Sequence, residues 1–411
     1  MPHTHEIPPH GHDVVPWKQS GRSGTREDRT LSEVTVSLPP AIADLDVILP
    51  PDVIAMAEQA LIQIVRTDAE FGSGLKVLNS FLIRTESVAS SKLEYIEASS
   101  VDYARAIAGS KANPSALSMI AASAALTRLV DDVSQTRRIS LASILAAHHD
   151  LMKEDSLDGP YAGKWREVQN WINGSNHSPR NADYVPPPAH TVGSYMADLE
   201  AFANRDNVPV LVQAALVHAQ FESIHPFTDG NGRIGRALIN AVLRRRGITL
   251  HSVVPISSAL TARRDDYFAA LNHFHDGLIS PLVTLFAQGC NTASLEAAET
   301  ARRLIHLPVQ WHGLSRNRVG STALEIIDVL LEHPTLNVET TQRLTATSHV
   351  SANAALEKLT RDGILQEITG RSRDRVWASP DVLAELDDLD FRIAQASTPS
   401  FVTFNGRRLE S

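Results

Sequence analysis

The sequence predicts a mainly α-helical protein, and three features of the chain lead to this fold class. Between residues 51 and 288, apolar residues recur at three- and four-residue spacing in segments that Pro and Gly separate. Within this region, 159–188 has aromatic and β-branched residues on both sides of the turn-rich NGSNHSPRN, a pattern typical of a β-hairpin. Near the C-terminal end, three short helical patterns and an extended pair predict a second, small domain.

The individual helices of the larger domain are predicted from the same spacing, over residues 54–66, 116–130, 141–152 and 208–221. The helices of the small domain are expected at 322–332, 338–345 and 350–362, and the turn GRSRD then joins its extended pair. Three helices and a hairpin within about 60 residues are typical of a winged helix-turn-helix.

The domain boundaries are predicted from changes in composition along the chain. Residues 1–40 are rich in Pro, Gly, His and charge, which indicates a flexible N-terminal arm. The expected order is then a larger domain over 41–303, a linker over 304–320, a winged-helix-like domain over 321–390 and a tail over 391–411.

The composition excludes several classes of protein. Hydrophobic residues make up 43% and charged residues 21% of the 411 residues, so most of the chain is expected to fold. The net charge of −9 argues against a chain that is drawn as a whole to nucleic acid or anionic lipid. A single cysteine, Cys290, cannot form an internal disulfide. Since signal-peptide and membrane-span patterns are also lacking, we expect a soluble cytoplasmic protein.

The run HPFTDGNGRIGR, residues 225–236, combines several groups that suit a phosphate ligand. It connects two apolar helical patterns, so it forms a loop that leads into a helix N-terminus. Gly230, Asn231 and Gly232 allow close backbone approach, and their N–H groups can converge on one anion at the positive end of the helix dipole. Arg233 and Arg236 lie three residues apart, so both guanidinium groups can bind phosphate oxygens.

Two further residues of this run suit the transfer of a phosphoryl or nucleotidyl group. Asp229 would repel a bare phosphate but could hold Mg²⁺, which commonly binds one carboxylate together with a polyphosphate. His225, with an ordinary pKa of about 6.5, could take a proton from an alcohol. The alternative interpretation is a structural loop in which the aspartate caps the helix while histidine and arginine bind buried carbonyl groups.

The run resembles the signature of the Fic family, HPFx(D/E)GNGRxxR, at every specified position. The flanking HAQFESI and RALINAVLRRRG are similar to the helices that border that signature, and KWREVQNWI with YVPPP resembles the hairpin flap that holds the modified side chain. The resemblance covers roughly residues 45–290. It implies a Fic helical fold and a protein adenylyltransferase, which moves AMP from ATP to a Ser, Thr or Tyr hydroxyl and releases pyrophosphate.

The resemblance also assigns roles to single residues. His225 would be the general base on the target hydroxyl, and Asp229 would bind the Mg²⁺ that bridges the α- and β-phosphates. Gly230, Asn231 and Gly232 would form the anion hole, with Asn231 at the α-phosphate. Arg233 would hold the β-phosphate and Arg236 the γ-phosphate. A kinase-like branch of the superfamily, with a segment resembling HxFxDANKR, has Lys at the position of Gly232, so this glycine favours AMP transfer.

A second segment, SSKLEY, resembles the family's inhibitory motif, (S/T)xxxE(G/N), placed N-terminal to the core. Ser90 and Glu94 are four residues apart, so they share one helix face. The resemblance implies that Glu94 reaches Arg236 and occupies the space of the γ-phosphate of ATP. Tyr95 departs from the motif, which has Gly or Asn there, and could shift the helix end or tighten the block. The alternative is that Glu94 is an ordinary surface residue.

The small C-terminal domain leaves the choice of partner open. Between residues 321 and 380 there are six basic and eight acidic residues, although a DNA-binding domain usually has a basic face. The predicted recognition helix offers Asn353, Lys358 and Arg361, which is a small set for binding DNA. Contact with protein, or a homodimer, is the stronger interpretation, and self-modification stays open. The alternative function is a nucleotide-sensing transcriptional regulator that acts through the winged helix.

Overall fold

A computed structural model describes residues 6–19, 23–72, 76–109, 113–315, 318, 320–371, 373–398, 401–404 and 407–410. The predicted mainly helical fold is confirmed. The helices are α1 (Arg26–Thr30), α2 (Pro51–Thr67), α3 (Lys76–Leu93), α4 (Ser100–Ile107), α5 (Pro114–Thr136), α6 (Leu141–Met152), α7 (Val192–Ala203), α8 (Val210–Ile224), α9 (Asn231–Arg245), α10 (Ile256–Ala262), α11 (Arg264–His275), α12 (Ser280–Leu314), α13 (Thr322–Val329), α14 (Val338–Thr345), α15 (His349–Arg361) and α16 (Pro380–Ser397). The strands are β1 (Gly11–Pro16), β2 (Glu33–Leu38), β3 (Thr335–Leu336), β4 (Gln366–Glu367), β5 (Trp377–Ala378), β6 (Phe401–Phe404) and β7 (Arg407–Glu410).

The chain divides into two compact units, and neither is continuous in sequence. The first unit comprises residues 1–61, 124–248 and 264–288. The second comprises residues 62–123, 249–263 and 289–411. The single larger domain expected over 41–303 is therefore distributed over both units, since α2, α5 and α12 each contribute residues to both.

Helix α8 forms the centre of the first unit. Nearly all of its residues are buried, the polar Gln213, His218 and Gln220 among them, so the helix is enclosed on all sides. It packs against α7 and α9. Gly235 makes the approach of α9 to α8 close, because a Cβ there would lie 3.2 Å from Cδ1 of Phe221 and nearer still to the Glu222 carboxylate.

The N-terminal segment is folded where the structure describes it, which corrects the expectation of a flexible arm over 1–40. Strands β1 and β2 pair antiparallel from Gly11 opposite Leu38 to Pro16 opposite Glu33. The inner side chains of β2, Val34 and Val36, are buried in a cluster with Val185. This apolar face, rather than the polar composition of the segment, determines whether it folds.

The hairpin expected over 159–188 is much smaller than predicted. A single antiparallel bridge joins Ile172 to Tyr184, with hydrogen bonds of 2.9 Å from Ile172 N to Tyr184 O and from Asp183 N to Ile172 O. The rest of the segment consists of turns, bends and one short 3₁₀ helix, Gly159–Tyr161. It packs instead on the N-terminal strands, because Ser37 N donates to the Val185 carbonyl at 2.8 Å.

In the second unit, α3 packs against α10 and α16, and α16 also contacts α4. The C-terminal domain follows the order helix, strand, two helices and two strands, and its sheet has the strand order β3-β5-β4. Three helices and an extended pair occur there, in agreement with the pattern in the sequence. The assignment of this domain to the winged-helix class stays a prediction.

The linker expected at 304–320 is helical for most of its length. Helix α12 continues to Leu314 despite Pro308 in its interior. Buried Leu304 and Trp311 explain this continuation, and Trp311 Nε1 donates to Oδ2 of Asp381 at 2.7 Å. The expected boundary at residue 390 is also displaced, because α16 runs to Ser397 and β6 and β7 pair beyond it in the predicted tail.

Candidate active site

His225 lies at the junction between α8 and the loop that leads into α9. Its backbone is left-handed, with φ 49° and ψ 60°, and its N–H closes the helix by donating to the Phe221 carbonyl at 2.9 Å. Residues other than glycine adopt this left-handed conformation only at an energetic cost, so neighbouring groups must stabilise the backbone of His225. Arg166 does so by donating from Nε to the His225 carbonyl at 2.9 Å.

Arg166 joins the loop to the segment at 165–188. The side chain is buried, and its guanidinium also donates to the carbonyl groups of Val168 at 3.1 Å and Pro187 at 2.5 Å. Burial lowers the pKa of Arg166 to about 10, which still leaves it charged at neutral pH. The residue therefore fixes the backbone at His225 and the neighbouring segment together.

Phe227 anchors the loop in the core. Its ring is completely buried and stacks parallel on the imidazole of His148, with ring centroids 3.6 Å apart. The indole of Trp165 lies 5.0 Å from the same ring. Such packing holds the loop rigidly below the catalytic histidine that the sequence predicts.

His148, from α6, connects the loop to α6 and to the turn at Gly163. Its Nδ1 accepts a hydrogen bond from Gly163 N at 2.9 Å, so the ring proton is on Nε2, which lies 3.1 Å from the Asp229 carbonyl oxygen and donates to it. Burial is the main cause that lowers the pKa of His148 to about 4, and nearby Arg233 acts in the same direction. His148 is therefore neutral and positions the backbone of Asp229.

The side chain of Asn231 closes the loop on itself. Its Oδ1 accepts from Phe227 N at 2.9 Å, and its Nδ2 donates to Phe227 O at 2.9 Å. Asn170 supports the same carbonyl from Nδ2 at 2.9 Å. The resemblance placed Asn231 at the α-phosphate, but the structure places its side-chain amide on the loop backbone, which leaves its main-chain N–H as the group suited to an anion.

Gly230 is the N-cap of α9 and has φ 76°. A Cβ at this position would meet Cδ2 of Leu151 at 2.9 Å and Sδ of Met152 at 3.2 Å, so both the backbone conformation and the space require glycine. Of the predicted anion-hole residues, Gly230 has positive φ, whereas Gly232 lies within the first turn of α9. The first N–H groups of a helix have no intrahelical acceptor, and such a helix start attracts anions.

Two guanidinium groups and one carboxylate surround this helix start. Arg233 and Arg236 are both buried in the first turns of α9. Nη2 of Arg233 lies 3.3 Å from Oδ2 of Asp229, and the Asp229 side chain is 53% exposed. The structure thus brings the predicted residues of the 225–236 run together within the first unit, with positive charge inside and one carboxylate at the surface.

The donor set fits a Mg²⁺ ion that is bound together with a nucleotide. Asp229 offers hard carboxylate oxygens at the surface, and Mg²⁺ commonly takes one or two carboxylates and completes its octahedron with phosphates and water. Within the described part of the chain, groups of three or more His, Cys, Asp or Glu side chains suited to a metal ion do not occur. These residues therefore do not favour a site in which protein side chains alone supply all the ligands of the metal ion.

The predicted inhibitory motif lies at the end of α3 in the second unit. Ser90 is buried and Glu94 is partly buried. The helix ends in a Schellman motif, in which Ile96 N donates to Ser91 O at 3.1 Å and Tyr95 N donates to Lys92 O at 3.0 Å. Tyr95 has φ 59° and is 79% exposed, so it takes the left-handed conformation that Gly or Asn would adopt more easily. The helix end keeps its geometry despite the departure from the motif.

Sequence reasoning missed His148, Arg166 and Asn170. Each contacts the loop from 50 or more residues away in sequence, as the hydrogen bonds of His148 to Asp229 and of Arg166 to His225 show. An isolated histidine, arginine or asparagine belongs to no motif or regular spacing, so the sequence does not identify it as part of a site. Arg166 follows the aromatic Trp165 but precedes the charged Glu167, so its immediate neighbours did not mark it for a buried polar role.

Comparisons with known proteins agree with this site. The model of the Fic/DOC family matches residues 138–243, which contain the loop and its flanking helices. Residues 138–243 are therefore similar to the Fic domain of that family.

Individual relatives match only part of their length. A probable protein adenylyltransferase of Aquifex aeolicus is 32% identical over 99 residues, which are 24% of this chain and 28% of that protein. A protein adenylyltransferase Fic of Nematostella vectensis is 31% identical over 139 residues, 33% of this chain and 29% of that protein. The matched region thus spans less than a third of these relatives.

One solved structure supports the fold alone. The crystal structure of a Fic family protein from Desulfovibrio desulfuricans G20 has a TM-score of 0.52 at 21% identity and covers 81% of this chain and 97% of that chain. In the described residues of the present chain, no helix has the length and apolar character needed to cross a membrane.

Proposed function

We propose that this protein is a Mg²⁺-dependent protein adenylyltransferase that moves AMP from ATP to a hydroxyl side chain of a target protein or of itself. The observation that carries the proposal is the conformation of residues 225–236. A histidine in the left-handed conformation ends one helix, and a glycine-capped helix start with two buried arginines follows it. The names of the relatives that share this region support the same activity.

The reaction follows from the groups at the loop. His225 takes the proton of the target hydroxyl while its oxygen attacks the α-phosphorus of ATP. The bond from that phosphorus to the bridging oxygen of the β-phosphate breaks, and pyrophosphate leaves. The N–H groups at the start of α9 and the guanidinium groups of Arg233 and Arg236 bind the phosphates, so they stabilise the charge that develops during transfer.

Asp229 would hold Mg²⁺, which neutralises phosphate charge when it is bound. The Arg233 guanidinium, 3.3 Å from Oδ2 of Asp229, orients that carboxylate before nucleotide binds. His148 fixes the backbone of the same residue through its carbonyl. Since both contacts hold Asp229 in place, the carboxylate is preorganised for the metal and the phosphates.

Gly232 is the residue on which we base the proposal that AMP, rather than phosphate, is transferred. This residue is partly exposed in the first turn of α9, and its lack of a side chain leaves space beside the helix start. A lysine here, as the kinase-like resemblance has it, would place a cation in that space and change how the triphosphate lies.

We also propose that Glu94 inhibits transfer in the resting protein, with Ser90 as part of the same motif. Support comes from the spacing of the motif and from the regular helix end that carries it, where Glu94 is partly buried. The motif lies outside the residues that the family model matches. A carboxylate that takes the place of the γ-phosphate would let ATP bind without a productive geometry.

For the C-terminal domain we propose contact with protein rather than DNA. Lys358 pairs with Asp362 at 2.9 Å, and Arg375 pairs with Glu357 and stacks on Trp377. These basic side chains are therefore already engaged within the domain, and phosphate would have to compete for them.

Intact-mass spectrometry after incubation with ATP and Mg²⁺ tests the proposed activity. Wild type and Glu94→Gly are expected to gain the mass of an adenylyl group, the variant more strongly, and His225→Ala is expected to lose transfer by roughly 10²- to 10⁴-fold. His149→Ala is the matched control, since His149 is an exposed histidine at the surface of α6. Transfer that persists in His225→Ala at the level of His149→Ala would remove His225 from the mechanism.

A further inference from the structure

A cavity of about 50 Å³ lies within the second unit, between α3, α4 and α16. Since one water needs roughly 10–15 Å³ by this measure, the cavity has space for about four water-sized groups. Its walls combine charged and apolar side chains, among them Arg84, Val88, Lys92, Tyr103, Leu386 and Asp390. The cavity is separate in sequence from the Fic-like region at 138–243.

The guanidinium of Arg84 is the unusual group in this cavity. Within the described residues, Arg84 has neither an ion pair nor a hydrogen bond to the protein. Burial lowers the pKa of Arg84 from its ordinary value, while the neighbouring Tyr103 acts in the opposite direction. A guanidinium has five N–H donors and stays charged in proteins, so a partly buried one without an acceptor is costly unless something else binds it.

The other charged groups of the cavity already have partners. Lys92 Nζ lies 2.7 Å from Oδ2 of Asp390, and Ser100 Oγ donates to Oδ2 of Asp387 at 3.0 Å. The phenol of Tyr103 bonds Ser123 Oγ at 2.9 Å. Neither carboxylate is bonded to Arg84, so its guanidinium is the charged group of the cavity that is left for a ligand.

We propose that this cavity is a binding site for a small ligand with a carboxylate or phosphate group, and that Arg84 binds that group. The planar fork of a guanidinium matches either oxyanion. Val88 and Leu386 provide apolar walls for the remainder of such a ligand. The ligand would contact three helices of the second unit, and one of them, α3, ends in the segment that carries Ser90 and Glu94.

Thermal unfolding of the full chain tests this inference with two probes, inorganic phosphate and propionate, each compared with sodium chloride at equal ionic strength. A ligand that binds only the folded state raises the melting temperature, and we expect a rise of about 2 °C or more at saturating probe. Arg84→Met is expected to abolish the rise. Because phosphate could also bind at the start of α9, where Arg233 is one of the proposed phosphate ligands, the phosphate comparison is made in an Arg233→Met background, and the rise seen there should disappear when Arg84→Met is added.

The melting temperature without probe gives a second, independent readout. Since Arg84 makes no bond to the described protein, Arg84→Met should melt at or above the temperature of wild type, as expected when a buried charge is replaced by an apolar side chain of similar size. A response to phosphate alone or propionate alone identifies the preferred oxyanion. The inference is overturned if neither probe shifts wild type, if the shift persists in Arg84→Met, or if Arg84→Met unfolds.

Discussion

Replacement of His148 by phenylalanine tests how the loop at residues 225–236 is held. An aromatic ring can still stack on Phe227, but the hydrogen bonds with Gly163 N and with the Asp229 carbonyl, at 2.9 Å and 3.1 Å, are lost. Each buried group left without a partner costs about 1–3 kcal/mol, so for these two groups we expect a total loss of stability of about 2–6 kcal/mol. Transfer should fall by roughly 10²-fold, because a displacement of about 1 Å at a reacting group can have that effect.

The same substitution should change how stability depends on pH. Burial holds the pKa of His148 at about 4, below its ordinary 6.5, so the unfolded state binds the proton more readily than the folded state. The contribution of His148 is therefore complete above about pH 6.5 and is lost as the pH falls from there towards 4. The linkage relation gives a loss of about 2 kcal/mol by pH 5, and His148→Phe should not show this part of the loss.

Urea unfolding at pH 7.5 and pH 5 measures both effects. The other histidines whose pKa desolvation lowers, His10, His218 and His275, are present in both proteins, so the difference between the proteins isolates His148. His149→Phe is the control for a histidine replaced at the surface of the same helix. If His148→Phe is as stable as wild type at pH 7.5, or loses as much stability on acidification, the structural role assigned to His148 is refuted.

Three further substitutions have defined outcomes. Gly230→Ala places a Cβ 2.9 Å from Cδ2 of Leu151 at φ 76°, so transfer and the melting temperature should both fall, by roughly 10²-fold and several degrees. Tyr95→Gly relieves the left-handed backbone at φ 59° and should raise the free energy of unfolding by about 1 kcal/mol in urea titration. Asp229→Asn should raise the Mg²⁺ concentration for half-maximal transfer by at least about tenfold, whereas exposed Asp183→Asn should leave it unchanged.

For each of these three substitutions, one outcome would contradict the role that is assigned to the residue. Normal transfer by Gly230→Ala would show that the loop tolerates a side chain where the structure has no room. A lower unfolding free energy for Tyr95→Gly would show that the tyrosine side chain stabilises the helix end. An unchanged Mg²⁺ requirement in Asp229→Asn would exclude Asp229 as the metal ligand.

The elements that were predicted best are those with a strong local pattern. Helix α6 has the predicted bounds, 141–152, because Ser140 caps it with a side-chain bond to Ser143 N and apolar spacing continues to Met152. Helix α12 is not among the predicted helices, and its residues from 304 onwards were predicted as a linker because Pro308 and the polar residues after it resemble one. Tertiary contacts decide that case, since the buried side chain of Trp311 and its bond to Asp381 hold the helix beyond the proline.

At the site, too, a feature that depends on adjacent residues was predictable, whereas contacts between residues far apart in sequence were not. Residues 225–236 are contiguous, so their spacing was enough to predict a loop that leads into a helix N-terminus, whereas phosphate binding there stays a prediction. The role of the Asn231 side chain was not predictable, because it depends on how Phe227 is placed in the folded loop. His148 and Arg166 support the loop from other parts of the chain, and only the folded structure brings them to it.

The most direct measurement of the central claim is a comparison of α-³²P-labelled and γ-³²P-labelled ATP in parallel reactions with Glu94→Gly and Mg²⁺. If the loop transfers AMP, protein-bound label comes from the α-labelled nucleotide, and the γ label is released with pyrophosphate. Protein label from the γ-labelled nucleotide, or from neither, would contradict adenylyl transfer by this site.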